Sequence, residues 1–365
     1  MKTSLQQQVE QLIRSQVREL SAYHVPSADG MLKLDAMENP YSLPEELKQT
    51  WLVSIQDAAL NRYPDPQAKQ LCDAIRQHEK IDNKFSILLG NGSDEIIQMI
   101  IMALAKPNAK VLAPEPSFVM YKMIAKLCNV EFVGIDLNED FSLNMPAMLQ
   151  AIEEHQPAVV FLAYPNNPTG NLFSREQVEQ IIQASHGLVV IDEAYTAFAS
   201  DSLIDWLDVY DHMLLMRTYS KTGLAGLRLG YLIGQAAWLN EFDKVRLPYN
   251  INVLTQATVC FALQHANVLQ QQTQNLKQSR EQLAAVLANT AGVTVFPSEA
   301  NFISFRVDAG AADEIFEALK AQKVLIKNLS AGHKLLRDCL RVTVGTDEEN
   351  ELFIQALKQT LAKAA

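Results

Sequence analysis

From about residue 85 the chain alternates short apolar runs with longer stretches in which apolar and polar positions mix. The runs lie at 111–113, 130–135, 158–164, 188–191, 213–216 and 229–233. Several lack the strict alternation of a half-exposed strand, the pattern of strands covered on both faces. Helical stretches between them predict βα units on a mostly parallel sheet, an α/β domain over residues 39–247. After Pro248 a long helical stretch, 253–287, precedes shorter strand candidates at 293–296, 302–307 and 340–344. This predicts a second, smaller α+β domain over 248–365.

With 365 residues, 48% of them hydrophobic, the chain can bury a large core. Its 31 Lys and Arg against 42 Asp and Glu give a net charge of −11, which counts against a broad nucleic-acid surface. The helix-like stretch 5–20 carries Gln, Glu and Arg throughout, unlike a signal peptide. The apolar stretch 96–105 is interrupted by Gln98 and stopped by Pro107, short of the ~20 residues a bilayer needs. Four cysteines, Cys72, Cys128, Cys260 and Cys339, lie far apart without CxxC spacing, so they are expected to be reduced thiols, mostly in the core. A cytoplasmic protein is expected, with no membrane or nucleic-acid partner and no metal site.

Four segments carry candidate chemistry. RTYSKTGLAGLRLG at 217–230 follows the strand 213–216 directly, so Lys221 projects from a strand's carboxyl end, where open α/β sheets place ligands. Small residues there leave room for a flat group. Thr218 and Ser220 offer hydroxyls, and Arg228 a planar fork suited to phosphate oxygens. LVVIDEAY at 188–195 is an apolar strand ending in Asp192, Glu193 and Tyr195. Acids at such a place also cap a following helix, a role open to Glu193. YPNNPTG at 164–170 follows another apolar run and by itself is ordinary turn chemistry. LGNGSDE at 89–95 opens a helical run, so the N–H groups at Gly92 and Ser93 can receive a phosphate, or Ser93 can simply cap the helix.

In this order the segments resemble the fold-type I, class I/II aminotransferases. The resemblance implies the PLP-dependent transferase fold of type I and pyridoxal 5'-phosphate as cofactor. Lys221 then forms the Schiff base, and Arg228 pairs with the cofactor phosphate near Gly92, Ser93, Thr218 and Ser220. By the same resemblance Asp192 keeps the pyridine nitrogen protonated, while Tyr195 and Asn167 contact the phenolic oxygen. Phe118, in EPSFVMY at 115–121, stands where the family stacks an aromatic ring on the pyridine, often a Tyr; a core Phe is the competing reading, and Tyr121 the substitute if the register differs. Tyr63, in the Pro-rich loop NRYPDP at 61–66, is implied to reach the cofactor phosphate of a neighbouring subunit, which makes a homodimer with shared sites. Residues 1–38 are expected to join the small domain and cover the site.

Across residues 17–346 the wording is most similar to the histidinol-phosphate aminotransferase family, through VRELSAY at 17–23, DAMENP at 35–40 and LRVTVGT at 340–346. That resemblance implies exchange of an amino group between L-histidinol phosphate and 2-oxoglutarate, giving imidazole-acetol phosphate and glutamate, in histidine biosynthesis. It makes Arg341 the anion anchor, with Tyr23, Asn167 and Lys327 as further substrate contacts. Lys327 stands where relatives often carry Arg, a point charge in place of a planar fork. Met37 departs from a common Asn. The competing readings are an aromatic or broad-specificity aminotransferase, a phosphothreonine decarboxylase-like lyase, and a cofactor-binding effector domain of a transcriptional regulator. No basic DNA-binding segment accompanies the last.

Overall fold

A computed structural model describes residues 4–22 and 26–364. Its strands are, in chain order, β1 (Leu32–Lys33), β2 (Ser86–Asn91), β3 (Lys110–Glu115), β4 (Glu131–Asp136), β5 (Val159–Ala163), β6 (Leu188–Asp192), β7 (Met213–Thr218), β8 (Leu229–Gly234), β9 (Val293–Val295), β10 (Phe302–Val307), β11 (Val324–Leu325), β12 (Lys327–Asn328) and β13 (Cys339–Thr343). Seven of them form one sheet in the order β2-β8-β7-β6-β5-β3-β4. β8 runs antiparallel to both its neighbours, and the remaining pairs are parallel.

The four strands β5 to β8 are buried at every position, which is why their runs read as continuous apolar stretches rather than alternations. Leu162, Ile191 and Leu215 enter the core on one face. Phe161, Val190 and Leu214 enter a second core on the other. Each such side chain contributes roughly 1.5–3 kcal/mol by leaving water. β7 runs two residues beyond the apolar run at 213–216. Its polar end stays in the sheet because the Arg217 guanidinium pairs with Glu193 at 2.8 Å and Glu79 at 2.6 Å.

Two helical stretches are broken more often than their periodicity suggests. The stretch 253–287 divides into Val253–Gln264 and Ala266–Ala288, with His265 between them at φ −114 and ψ 30. The stretch 5–20 divides into Leu5–Leu12, which starts with a capping box on Ser4, and Ser15–Arg18.

A second sheet, β12-β13-β10-β9, is antiparallel throughout. Helices Ala266–Ala288 and Ala312–Ala321 help to enclose a third core around Ile303, Phe305, Leu340, Val342 and Phe353. β1 pairs with β11, so residues 32–33 lie with the strands of the later part of the chain. The small sheet is tied to the large one near its functional edge. Ser304 Oγ donates to the Pro168 carbonyl at 2.5 Å, and buried Arg280 donates from Nη1 to the carbonyls of Phe198 and Ala300 at 3.3 and 3.1 Å.

All four cysteines are free; Cys260 and Cys339 are buried, while Cys72 and Cys128 are half-buried. Among the described residues no helix is long and apolar enough to cross a membrane.

Candidate active site

β2, β3, β5, β6 and β7 end at Asn91, Glu115, Ala163, Asp192 and Thr218. Because these strands run the same way, their carboxyl ends share one edge, and the loops that follow them converge there. Ser93, Phe118, Asn167, Asp192, Tyr195, Thr218, Ser220, Lys221 and Arg228 line one cleft at that edge.

Lys221 sits in a turn, Ser220–Leu224, that is kinked at Gly223, which takes φ 112. The Lys221 ammonium donates to the Ala36 carbonyl at 3.4 Å and lies 5.8 Å above the Tyr195 ring. Burial, then the positive charge of Arg341, lowers its pKa to about 8; Arg228 adds to this, while Glu38 and Asp94 oppose it. An amine so placed gives up its proton more readily than an ordinary lysine, and a neutral amine can take up a proton.

Asp192 ends β6, buried. Its Oδ1 accepts from the Ala194 N–H at 3.1 Å and its Oδ2 from the Tyr121 hydroxyl at 2.6 Å. Burial pushes its pKa up to about 6 against those two donors. Beside it, the Asn167 amide links two groups. Its Nδ2 donates to Tyr195 Oη at 3.0 Å, and its Oδ1 accepts from Arg341 Nη1 at 2.6 Å. Arg341 Nη2 also donates to the Asp35 carbonyl at 3.1 Å. Burial holds the Tyr195 phenol above its usual range, and Arg341 opposes the rise.

The opposite end of the cleft is built for an anion. Helix Ser93–Leu104 begins after Gly92, which takes φ 86 and leaves the helix start without a side-chain cap. Ser93 is therefore the first helical residue rather than the cap. A Cβ on Gly92 would stand 2.6 Å from Arg228 Nη2, and one on Gly230 2.6 Å from Ser93 N. Both glycines let backbone approach where a side chain would block it. Arg228 is half exposed, with Asp94 Oδ2 at 3.5 Å and Ser220 Oγ at 3.5 Å as its polar neighbours. The Ser220 N–H donates to Thr218 Oγ1 at 3.1 Å, and the Thr218 hydroxyl donates to the Leu229 carbonyl at 3.0 Å.

Phe118 forms a wall of the cleft, whereas Tyr121 lies beneath it, buried and hydrogen-bonded to Asp192. Lys327 is the register partner of Arg341 across β12 and β13, and directly opposed residues of an antiparallel pair project from the same face. Tyr63 is not in the cleft: it is exposed and stacks on Tyr249 with ring centroids 4.4 Å apart. Tyr23 lies outside the described residues. Asp94, Gly230, Met37 and the hydroxyl of Tyr121 belong to the site's construction without having been singled out for it from the sequence. Only Tyr121 left a usable signal, since a residue three positions after Phe118 lies one helical turn on. Glu193 accepts the Leu203 N–H at 2.7 Å, just before the short helix Ile204–Asp208, and also holds Arg217.

The chain belongs to the aminotransferase class I and II family, whose model matches residues 29–357. It is 53% identical over 350 residues to histidinol-phosphate aminotransferase 2 of Nitrosococcus oceani, covering 96% of this chain and 97% of that protein. Among solved structures, the histidinol-phosphate aminotransferase of Sinorhizobium meliloti in complex with pyridoxal-5'-phosphate superposes with a TM-score of 0.86 at 23% identity, covering 97% and 98% of the two chains. The L-threonine-O-3-phosphate decarboxylase of Porphyromonas gingivalis superposes with a TM-score of 0.77 at 23% identity, covering 90% and 99%. The fold by itself therefore does not separate transferase from lyase.

Class I and II aminotransferases depend on pyridoxal 5'-phosphate, and the cleft fits it. The uncapped helix start and Arg228 suit a phosphate, the buried carboxylate of Asp192 suits a protonated ring nitrogen, and Lys221 lines the same cleft.

Proposed function

We propose that this chain transfers the amino group of L-histidinol phosphate to 2-oxoglutarate, yielding imidazole-acetol phosphate and glutamate. The observation that carries this is the pairing of Arg341 with Lys327 on one face of the small sheet, with Arg341 bound to the cleft residue Asn167. Two cations side by side suit a phosphate ester better than a lone carboxylate. The near-full-length identity to a protein of that name supports the same substrate.

When bound, pyridoxal 5'-phosphate supplies the electrophilic carbon that takes up the amine and a ring that draws electrons from the substrate's Cα. Gly92 and Ser93 N–H groups, Thr218, Ser220 and Arg228 hold its phosphate, and Phe118 covers its ring. Asp192 keeps a proton on the ring nitrogen. Tyr195 and Asn167 hydrogen-bond its phenolic oxygen. Lys221 would anchor it covalently, and the Lys221 amine would carry the proton from Cα. Burial makes that transfer feasible near neutral pH by lowering the proton affinity of the amine. Arg341 and Lys327, with Tyr23, orient the substrate anion, so Cα lies where Lys221 can reach it.

The same reading divides the chain into a segment 1–38 that covers the site, a cofactor-binding domain 39–247 and a small domain 248–365. It places the enzyme in the cytoplasm as a homodimer. The exposed Tyr63, Leu60 and Leu247 lie on the surface that would meet the second subunit, bringing Tyr63 to the partner's cofactor phosphate.

The test is a single-turnover spectrum of the cofactor-loaded protein. Histidinol phosphate is expected to convert the bound cofactor to its amine form much faster than tyrosine or phenylalanine. Preference for the plain aromatic amino acids would retain the reaction and discard the substrate. Release of carbon dioxide from phosphothreonine would identify a lyase instead.

A further inference from the structure

One buried hydroxyl beside the cleft has no part in the chemistry above. Tyr121 lies in helix Val119–Leu127, which starts immediately after Phe118. It is 1% exposed. Its ring stacks on Phe161 of β5, centroids 4.7 Å apart at 12°, and meets the Phe118 ring edge-on at 5.6 Å and 84°. Its hydroxyl donates to Asp192 Oδ2 at 2.6 Å. One side chain therefore touches both the ring that walls the cleft and the carboxylate at its end.

We propose that Tyr121 is a positioning residue for the transamination, holding the Asp192 carboxylate through its hydroxyl while its ring backs Phe118. The proposal rests on the reading of Asp192 as the partner of the cofactor's ring nitrogen. Among the described residues no cation is hydrogen-bonded to Asp192. Its two donors are Tyr121 and the Ala194 N–H. Among the described residues, the charged and titratable groups acting with it are Tyr121 itself, Asp94 from the helix after β2, Glu193 next along the chain, and Tyr195 two residues beyond Glu193. Burial first, and then Asp94 and Glu193, raise its proton affinity; Tyr121 is the strongest of the groups that lower it. A phenol suits this place because it donates without adding charge. Burial and Asp192 hold its own proton far above the usual range, so it stays a donor at every working pH. A histidine or lysine here would bring a second positive charge that titrates or competes with the ring nitrogen.

The experiment compares cofactor-loaded Tyr121→Phe, Phe161→Leu and Asp192→Asn with the parent. The absorption of the bound cofactor is titrated against pH without substrate, and cofactor affinity is measured alongside thermal melting. Tyr121→Phe keeps the ring and loses only the donor, so the spectroscopic midpoint is expected to move up by about one pH unit, with about tenfold weaker cofactor binding. Phe161→Leu loosens the ring but keeps the hydroxyl, so it is expected to lower the melting temperature and leave the midpoint in place. An unmoved midpoint in Tyr121→Phe, while Asp192→Asn shifts it, overturns the proposal and spares the reading of Asp192. A shift in Phe161→Leu as large as in Tyr121→Phe also overturns it, assigning the effect to packing. No response to Asp192→Asn removes the reading of Asp192 and the proposal with it.

Discussion

Asp192 and Glu193 are consecutive acids at the end of one strand, both buried, yet their surroundings differ on the two faces of the sheet. Glu193 is saturated: Arg217 donates to it from Nε and Nη2 at 2.9 and 2.8 Å, and Ser202 and the Leu203 N–H complete its shell. Asp192 has two neutral donors and, among the described residues, no cation, so burial raises its proton affinity. The cations repeat the contrast. Arg217 is buried between two carboxylates, whereas Arg228 is half exposed, with Asp94 at 3.5 Å as its nearest acid. A charge whose needs are met inside the protein holds the fold together; one left partly unmet is available to a ligand.

The largest effect that sharpens this contrast belongs to Asp192→Asn. Activity is expected to fall on the order of 10³-fold, because in the proposed role the change removes the charge that keeps the ring nitrogen protonated. Stability should move the other way. The Asp192 carboxyl keeps its proton up to about pH 6 when folded, against an ordinary value of 3.8. The cofactor-free protein therefore loses stability as pH rises between those values and carries the whole cost above pH 6. Asn has no such cost, so at pH 8 the cofactor-free variant is expected to be roughly 1–3 kcal/mol more stable than the parent. Chemical denaturation of both without cofactor checks this, and a destabilised variant would break the contrast.

Across the sheet, Arg217→Met is expected to cost roughly 3–5 kcal/mol by leaving Glu193 buried without its cation. Replacing both, Glu193→Leu with Arg217→Met, should recover much of that loss. Denaturation midpoints of the two variants decide it; a double variant no better than the single would mean that the pair does more than neutralise itself. Gly92→Ala acts on the unsaturated cation. The new Cβ meets Arg228 Nη2 at 2.6 Å and the backbone must hold φ 86, a strain of roughly 1–3 kcal/mol, so cofactor binding weakens about ten- to hundredfold. Titrating the cofactor-free variant with pyridoxal 5'-phosphate measures it, and unchanged affinity would remove Gly92 from the phosphate site.

What could be read from the sequence follows the same division. The strands buried on both faces, the Lys221 turn, and the order of motifs around Asn167 and Asp192 are local signals, since each functional side chain sits next to the strand end that places it. The asymmetry between Asp192 and Glu193 was not readable, because it comes from Arg217, Ser202 and Leu203 on one side and Tyr121 on the other. The breaks at His265 and after Leu12 were missed for a related reason: periodicity continues across a single non-helical residue. Gly230 stood in plain view within a motif, but its use, letting β8 pass beneath Ser93, depends on a strand pairing 140 residues apart in sequence by the register Gly90 with Gly230.

The smallest expected effect falls on Lys327. Its ammonium has no ion pair or hydrogen bond among the described residues, although it shares a sheet face with Arg341. It resembles Arg228 rather than Arg217, and its half-buried place lets water screen it. Lys327→Ala is therefore expected to raise KM for histidinol phosphate about five- to tenfold with little change in kcat, since a point charge adds attraction more than geometry. KM for glutamate should change less, because on the proposed reading the Arg341 fork serves its smaller carboxylate. Lys327→Arg should restore or tighten phosphate binding by supplying a second fork. Steady-state kinetics with the two amino donors separate the outcomes. An equal rise for both would make Lys327 a general electrostatic contribution, and no rise for either would leave Arg341 and Tyr23 to recognise the phosphate without it.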